Sequence, residues 1–362
     1  MDNICSPYLE INLPAIYHNA RIIVEKGRDY GILIDGVTKV SLGDPKIAKV
    51  LVEAGVFGIS DSRIESIKRM RESNLNTNFT LIRLPCLSQV EEEIKYADIS
   101  LNSELSTLRA LNEAGEKLKK KHRVVIMVEM GDIREGIWDR EELYFVIGEV
   151  LKMKNLELFG MGTNFTCLGG VIPTQEKYVD FVEIVDALER RFNISFAIVS
   201  GGNSSTIPLL FEGKIPSKVN HLRIGEGIML GRETAYRKVI PEARTDTFKF
   251  VGEILEVKEK PSVPWGVIGE DAFGHKPSFK ARGVRKRAIL NFGRQDIDPE
   301  GIRPEILGVE VLGATSDYTV LDISERDDLR VGDSISFSLN YSSLLQAFTS
   351  PFVKKVYKEV DL

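Results

Sequence analysis

Within the first 225 residues the chain switches eight times between two kinds of apolar pattern. Short apolar runs at 31–39, 57–61, 79–84, 98–102, 123–130, 158–164, 196–200 and 221–225 read as strands. Between them apolar residues recur three and four apart, as in Ile47-Ala48-Val50-Leu51-Ala54 and Val179-Val182-Ile184-Val185-Leu188, the period of a half-buried helix. Eight strand–helix units in about 200 residues predict an α/β fold, a closed (β/α)8 TIM-type barrel. An open doubly wound sheet is the alternative. It would usually carry a glycine-rich dinucleotide turn after its first strand, and Gly36-Val37-Thr38-Lys39 is not one.

Past residue 235 the texture changes. Phe250–Val257, Arg287–Phe292, Tyr318–Ile323 and Ser334–Leu339 are short apolar or alternating runs, separated by turns bearing Gly and Pro. They predict a smaller C-terminal β-domain at 236–362 after a barrel at 1–235, with Ala235–Thr247 as the crossing. Residues 1–12 include Tyr8-Leu-Glu-Ile-Asn12, a candidate extra strand of that β-domain.

Composition removes several function classes. A net charge of −5 over 362 residues offers no electrostatic case for nucleic acid. No apolar run approaches a membrane span. The start, Met1-Asp-Asn-Ile-Cys5, lacks the basic and apolar regions of a signal peptide, so a cytoplasmic location is expected. Cys5, Cys86 and Cys167 are odd in number and far apart, which suits a reducing compartment and suggests neither a disulfide framework nor a metal site.

In a barrel the chemistry gathers at the C-terminal ends of the strands. Those ends carry Lys39, Asp61-Ser62-Arg63, Arg83, Asn102, Arg134, Asn164 with Cys167, Ser200-Gly-Gly-Asn203-Ser204, and Arg223-Ile-Gly225-Glu226-Gly227. A lysine at the end of a buried strand is expected to have its charge penalised by desolvation, which makes it a better nucleophile toward a carbonyl. The plain alternative is a strand-end lysine reaching solvent. The two Gly/Ser/Asn loops follow strands seven and eight, where barrels often hold a phosphate, although either alone could be a structural turn. Together with Lys39 they suggest an anionic cofactor held by its phosphate and linked to the lysine. Pyridoxal 5'-phosphate fits that description.

Matching segments then run through nearly the whole chain. They are Tyr8–Ala20, Gly36–Val40, Asp61–Glu65, Gly131–Trp138, Gly162–Cys167, Ser200–Ser205, His221–Glu226 and Gly293–Asp296. In these the chain resembles the alanine racemase family of pyridoxal-phosphate enzymes (fold type III), and within it the ornithine/lysine racemase branch. The resemblance implies that Lys39 carries the cofactor as an aldimine and is one of two bases that move the substrate α-proton through a carbanion. It implies that Arg223 faces the pyridine nitrogen and keeps it unprotonated. It further implies that Asn164, Asn203, Ser204, Gly225 and Glu226 line the cofactor, and that Arg134 sits near its ring oxygen and the substrate carboxylate. Tyr341 matches a tyrosine that contacts the phosphate, with a β-domain core tyrosine as the alternative.

The chain also departs from the family pattern. Arg294, in Phe292-Gly293-Arg294-Gln295-Asp296, stands where alanine racemases place a catalytic tyrosine. Arginine is too basic to shuttle protons near neutrality, and its fork suits a substrate carboxylate. Asn164 replaces a barrel histidine, and Leu42-Gly43-Asp44 replaces a glycine–tyrosine turn. The second base is therefore open between Cys167, otherwise an inert packed thiol, and Asp296, otherwise a structural cap. Glu226, Asp296 and Asp317 are candidate partners for the terminal ammonium of ornithine or lysine, since an unpaired buried cation is costly. The function expected from the resemblance is racemisation of ornithine or lysine by a homodimer whose site is shared across subunits. Alanine racemisation, a decarboxylase or lyase on the same architecture, and a non-catalytic cofactor carrier are the alternatives.

Overall fold

The computed structural model describes residues 7–276 and 278–359; Cys5 and the chain's first residues lie outside them. The chain divides into two compact units. One spans Leu13–Thr245, and the other joins the two ends, up to Asn12 and from Asp246 onward.

In the first unit eight parallel strands close into a barrel in sequence order. With the strand Tyr8–Asn12 numbered β1, these are β2 (Leu33–Val37), β3 (Gly58–Asp61), β4 (Asn78–Leu81), β5 (Ile99–Asn102), β6 (His122–Met127), β7 (Leu156–Gly162), β8 (Ile198–Ser200) and β9 (His221–Ile224). The predicted (β/α)8 barrel is therefore present, each strand falling within or beside its expected run. β9 pairs back onto β2 with Asp35 opposite Arg223, which closes the ring.

Alternation along the strands sorts side chains to two faces. Ile99, Leu101, Val125 and Met127 pack together in the lumen with Ile82 and Phe159. Their neighbours Val124 and Ile126 point outward into the larger core beneath the helices, with Leu108, Val146, Phe181 and Leu188. The lumen wall contributed by β2, β3, β8 and β9 is polar instead, carrying buried Asp35, Ser60, Ser200, His221 and Arg223.

The barrel unit runs on to Thr245, beyond the expected bound at 235, because the buried Asn19 grips the following segment. Its amide donates to Arg244 O (2.9 Å) and Ile228 O (3.0 Å) and accepts from Arg244 N (2.7 Å).

The second unit holds β10 (Phe248–Pro261), β11 (Val284–Leu290), β12 (Ile302–Pro304), β13 (Glu310–Ala314), β14 (Thr319–Asp322), β15 (Ser334–Leu339) and β16 (Lys354–Lys358). The sheet order is β12-β15-β10-β11-β14-β13, with β1 pairing both β10 and β16. Phe250, Phe292 and Phe337 form its core edge to face, with ring centroids 4.8 and 5.6 Å apart. Gly252 leaves room for Phe292, since a Cβ there would lie 2.3 Å from the ring. Phe292 thereby anchors the loop that carries Arg294. A helix, Tyr341–Thr349, also lies in this unit; it is capped by Asn340, whose side chain accepts from Ser343 N at 2.9 Å.

Among the described residues no helix is long and apolar enough to cross a membrane.

Candidate active site

Lys39 stands just beyond β2, which ends at Val37, on a single 3-10 turn Lys39–Ser41. Its side chain is exposed. The fixed part is the backbone before it. Thr38 N donates to Ser60 O (3.0 Å), and Thr38 Oγ1 donates to Asp61 Oδ2 (2.8 Å) at the end of β3. The chain then reverses through Leu42 (φ 53°) and Gly43 (φ 66°). A Cβ on Gly43 would lie 2.7 Å from Ser66, so glycine is required there on two counts. Asp44 caps the next helix, accepting from Lys46 N (2.9 Å) and Ile47 N (3.1 Å).

Beside this seam Arg223 points into the lumen and is 4% exposed. Its guanidinium donates to Thr163 O (2.8 Å) and, through Nη1, to Ser200 Oγ. Ser200 Oγ also meets His221 Nδ1 at 2.8 Å, and His221 Nε2 lies 3.3 Å from Asp35 Oδ1. The other Asp35 oxygen accepts from Ser60 Oγ at 2.7 Å. Burial alone would raise the Asp35 carboxyl, but His221 beside it and the Ser60 and Thr80 hydroxyls outweigh burial and hold it below the usual range. Burial lowers the Arg223 guanidinium, opposed by the carboxylates of Glu135 and Asp35.

Two mouth loops meet above Arg223. Arg134 is clamped by a bidentate ion pair to Glu135, and Asn164 Nδ2 donates to Glu135 Oε1 (3.3 Å). Asn203 Nδ2 donates to Asn164 Oδ1 (2.8 Å) and Phe165 O (2.7 Å). Both amides approach the exposed Cys167 Sγ, at 3.3 and 3.4 Å. The buried Asp132 shapes the Cys167 loop by accepting from Cys167 N (2.9 Å) and Leu168 N (3.0 Å). Each loop holds a non-glycine residue in the left-handed region, Ile133 (φ 52°) beside Arg134 and Thr166 (φ 56°) beside Cys167. Such strain persists where surrounding contacts over-determine the backbone, as the Glu129 and Asp132 hydrogen bonds do here.

On the opposite rim, Ser204 Oγ accepts from Gly227 N at 3.0 Å and so ties the two glycine-bearing loops together. The buried Tyr178 braces the first of them from below through Gly201 O (2.5 Å) and Thr206 Oγ1 (2.8 Å). Gly225 faces Val37, which a Cβ would approach to 3.2 Å. Glu226 is paired with Arg237 at 2.5 Å. Burial raises its carboxyl, and the charges of Arg237 and the nearby Lys39 oppose that.

The barrel thus gathers Lys39, Arg134, Asn164, Cys167, Asn203, Ser204, Arg223, Gly225 and Glu226 at its C-terminal end. The remaining expected residues lie in the second unit. Asp296 is buried, with its oxygens taken by Gly293 N (3.2 Å) and Ser350 Oγ (3.0 Å), the geometry of a cap. Asp317 accepts from Gln295 Nε2 (2.8 Å). Arg294 lies 3.6 Å from Glu300, with its guanidinium 5.0 Å from the Phe273 ring centre. Tyr341 begins the helix Tyr341–Thr349, half-buried. Sequence reasoning missed Glu135, Asp132 and the Asp35–His221 pair. Asp35 did carry a signal, since a carboxylate inside the apolar run Ile32–Val37 demands a buried partner.

The donor set suits an anionic cofactor with a carbonyl. It combines an exposed amine, a buried guanidinium, and two buried hydroxyls at the mouth, Thr163 Oγ1 and Ser205 Oγ, that have no partner among the described residues.

Residues 11–233 match the family model for the alanine racemase N-terminal domain. The chain belongs to the alanine racemase family. Relatives in that family include a lysine racemase of Thermotoga maritima, 43% identical over 352 residues, covering 97% of this chain and 98% of that one. An ornithine racemase of Acetoanaerobium sticklandii is also 43% identical, over 350 residues, covering 96% and 99% of the two chains. In fold, the chain is similar to the alanine racemase from D-cycloserine-producing Streptomyces lavendulae, with a TM-score of 0.79 at 15% identity and coverage of 99% and 98%. Members of the alanine racemase family are pyridoxal-phosphate enzymes, and this member is a racemase-type enzyme.

Proposed function

We propose that the protein is a pyridoxal-phosphate-dependent racemase that interconverts the L and D forms of a basic amino acid, ornithine or lysine, as a homodimer. The observation that carries this reading is 43% identity, over nearly the whole chain, to relatives named for those two substrates. The residues at the barrel mouth suit the chemistry.

Lys39 would hold the cofactor's carbonyl carbon, Arg223 its ring nitrogen, and Arg134 its ring oxygen. Asn203, Ser204, Gly225 and neighbouring backbone would hold the phosphate, with Tyr341 as a further phosphate contact. When bound, the cofactor is an electron sink that acidifies the α-hydrogen of the amino acid. Once the substrate amine replaces it on the cofactor's carbonyl carbon, Lys39 Nζ would take the proton from the substrate Cα and return it on the same face. Racemisation requires a second proton carrier. Cys167 Sγ is the better candidate, because it is exposed beside two side-chain amides whereas both Asp296 oxygens are engaged. Arg134 and Arg294 would bind the substrate carboxylate. Asp317 would offer charge to the terminal ammonium.

The test is incubation of the holoenzyme with L-ornithine, L-lysine and L-alanine, each enantiomer being followed by chiral chromatography. D-ornithine or D-lysine rising toward an equal mixture is the expected result. Loss of the amino acid to an amine or carbonyl product would replace racemisation with a decarboxylase or lyase.

A further inference from the structure

Ser200, His221 and Asp35 form a buried line that ends on Arg223, and none of them reaches the mouth by itself. All three are at most 4% exposed. Their polar atoms leave little choice of partner. His221 Nε2 and Asp35 Oδ1, 3.3 Å apart, are too poorly aligned to count as hydrogen-bonded, yet neither has another partner among the described residues. Ser200 Oγ lies between the Arg223 guanidinium, which can only donate, and His221 Nδ1.

One proton assignment turns a donor toward an acceptor at every contact. Arg223 Nη1–H donates to Ser200 Oγ, Ser200 Oγ–H donates to His221 Nδ1, and His221 Nε2–H points to Asp35. Every donor then points the same way, from guanidinium to carboxylate. The competing assignment, a doubly protonated His221, puts two cations beside one carboxylate in a closed lumen. The other charges near Arg223, Glu135 and Arg134, are already paired with each other. Like charges at close range in low dielectric are strongly disfavoured.

We infer that Asp35 and His221 are positioning residues which, through Ser200, orient Arg223 and spread its charge onto a buried carboxylate, with His221 neutral and its proton on Nε2. Arg223 is then a fixed, charge-compensated donor at the floor of the site. That Arg223 serves the cofactor rests on the function proposed above; the proton arrangement stands apart from it.

The chain has four histidines, so ¹⁵N-histidine labelling gives few signals, and the His221 signal can be assigned with the His18→Gln, His122→Gln and His275→Gln variants. The expected result for the holoenzyme at neutral pH is one neutral ring, protonated at Nε2 and bare at Nδ1. A doubly protonated ring, or a proton on Nδ1, overturns the proposal. This reading needs no cofactor, so it survives failure of the functional assignment. The second measurement is release of pyridoxal phosphate on dialysis, followed by absorbance. Ser200→Ala and Asp35→Asn should weaken retention roughly tenfold to a hundredfold, the scale of a lost hydrogen bond to a charged group. Ser200→Thr, which keeps the hydroxyl, should restore it, and His122→Gln should leave it alone. Equal retention in all folded variants would show that the line is only packing.

Discussion

The barrel unit contains the same three chemical groups twice, and only one set is joined to Arg223. Inside the lumen, Ser200 and Asp35 sit at the two nitrogens of His221, so the ring bridges them. On the outer face, beneath the helix Val90–Tyr96, Ser100 (2.8 Å) and Glu93 (3.5 Å) both crowd the Nε2 of His122. Nδ1 of His122 and both Glu93 oxygens have no hydrogen-bond partner among the described residues. Residue type is therefore a poor guide to role. What separates the clusters is strand parity, which sends His221 inward and His122 outward, and the second partner of the serine. Ser200 holds Arg223, whereas Ser100 holds Asn102, whose amide donates to it at 2.9 Å.

That difference can be broken from the mouth side first, where effects should be largest. Lys39→Ala removes the proposed cofactor anchor and proton carrier, so turnover should vanish together with the cofactor's visible band. Because Lys39 is exposed, the melting temperature of the apoprotein should barely move. Residual activity near wild type would end the assignment. Cys167→Ala comes next. General acid–base groups contribute about 10²–10⁴-fold, so kcat should fall by at least about a hundredfold in both directions of racemisation. An unchanged kcat would return the thiol to packing and leave the second proton carrier to be found.

The outer cluster should respond in the opposite way. His122→Leu leaves the buried Glu93 without the histidine that faces it at 3.5 Å, and this should cost about 2–4 kcal/mol of stability. The folded fraction should keep the wild-type kcat/KM. Denaturant melts and kinetics on one preparation settle it. Loss of activity without loss of stability would mean that the two clusters are not separate.

Much of this contrast was hidden in the sequence for a physical reason. The barrel was legible because eight changes of hydrophobic period leave few other topologies, and because strand ends place side chains at one rim. Lys39, Arg134, Asn164, Cys167, Asn203 and Arg223 were reached that way. Inward and outward faces of a short, doubly buried strand look alike in sequence, so His122 and His221 could not be told apart. Glu135 stands beside Arg134 in sequence, and adjacent opposite charges usually mark a solvated surface. The end of the first barrel strand was less legible. The apolar run suggested a strand through residue 39, but β2 stops at Val37 and Lys39 is exposed on the turn after it. In the second unit, β12 is three residues long and β16 reads Lys-Lys-Val-Tyr-Lys, so neither shows a clear strand pattern.

The smallest effect is the pH dependence of two buried aspartates of the barrel, Asp35 and Asp61, which should have opposite signs. Asp35 is held below its usual range in the folded protein, so its stabilisation is present above the unfolded pKa of about 3.9 and fades as the pH falls through its folded value. Asp61, which anchors Thr38 beside Lys39, goes the other way. Burial pushes its carboxyl up to about 6, against the opposing hydrogen bonds from Thr38, Arg63 and Ser62. Between about pH 4 and 6 the folded state then holds a proton that the unfolded chain has lost, so stability falls as pH rises, by about 2–3 kcal/mol in all. Asp61→Asn has no proton to lose. The stability difference between wild type and Asp61→Asn, from urea melts at pH 4 and 7, should therefore shift toward the variant by about that amount. A constant difference across that window would mean that Asp61 is ionised throughout, and that the anchor of the Lys39 turn is a buried carboxylate like Asp35.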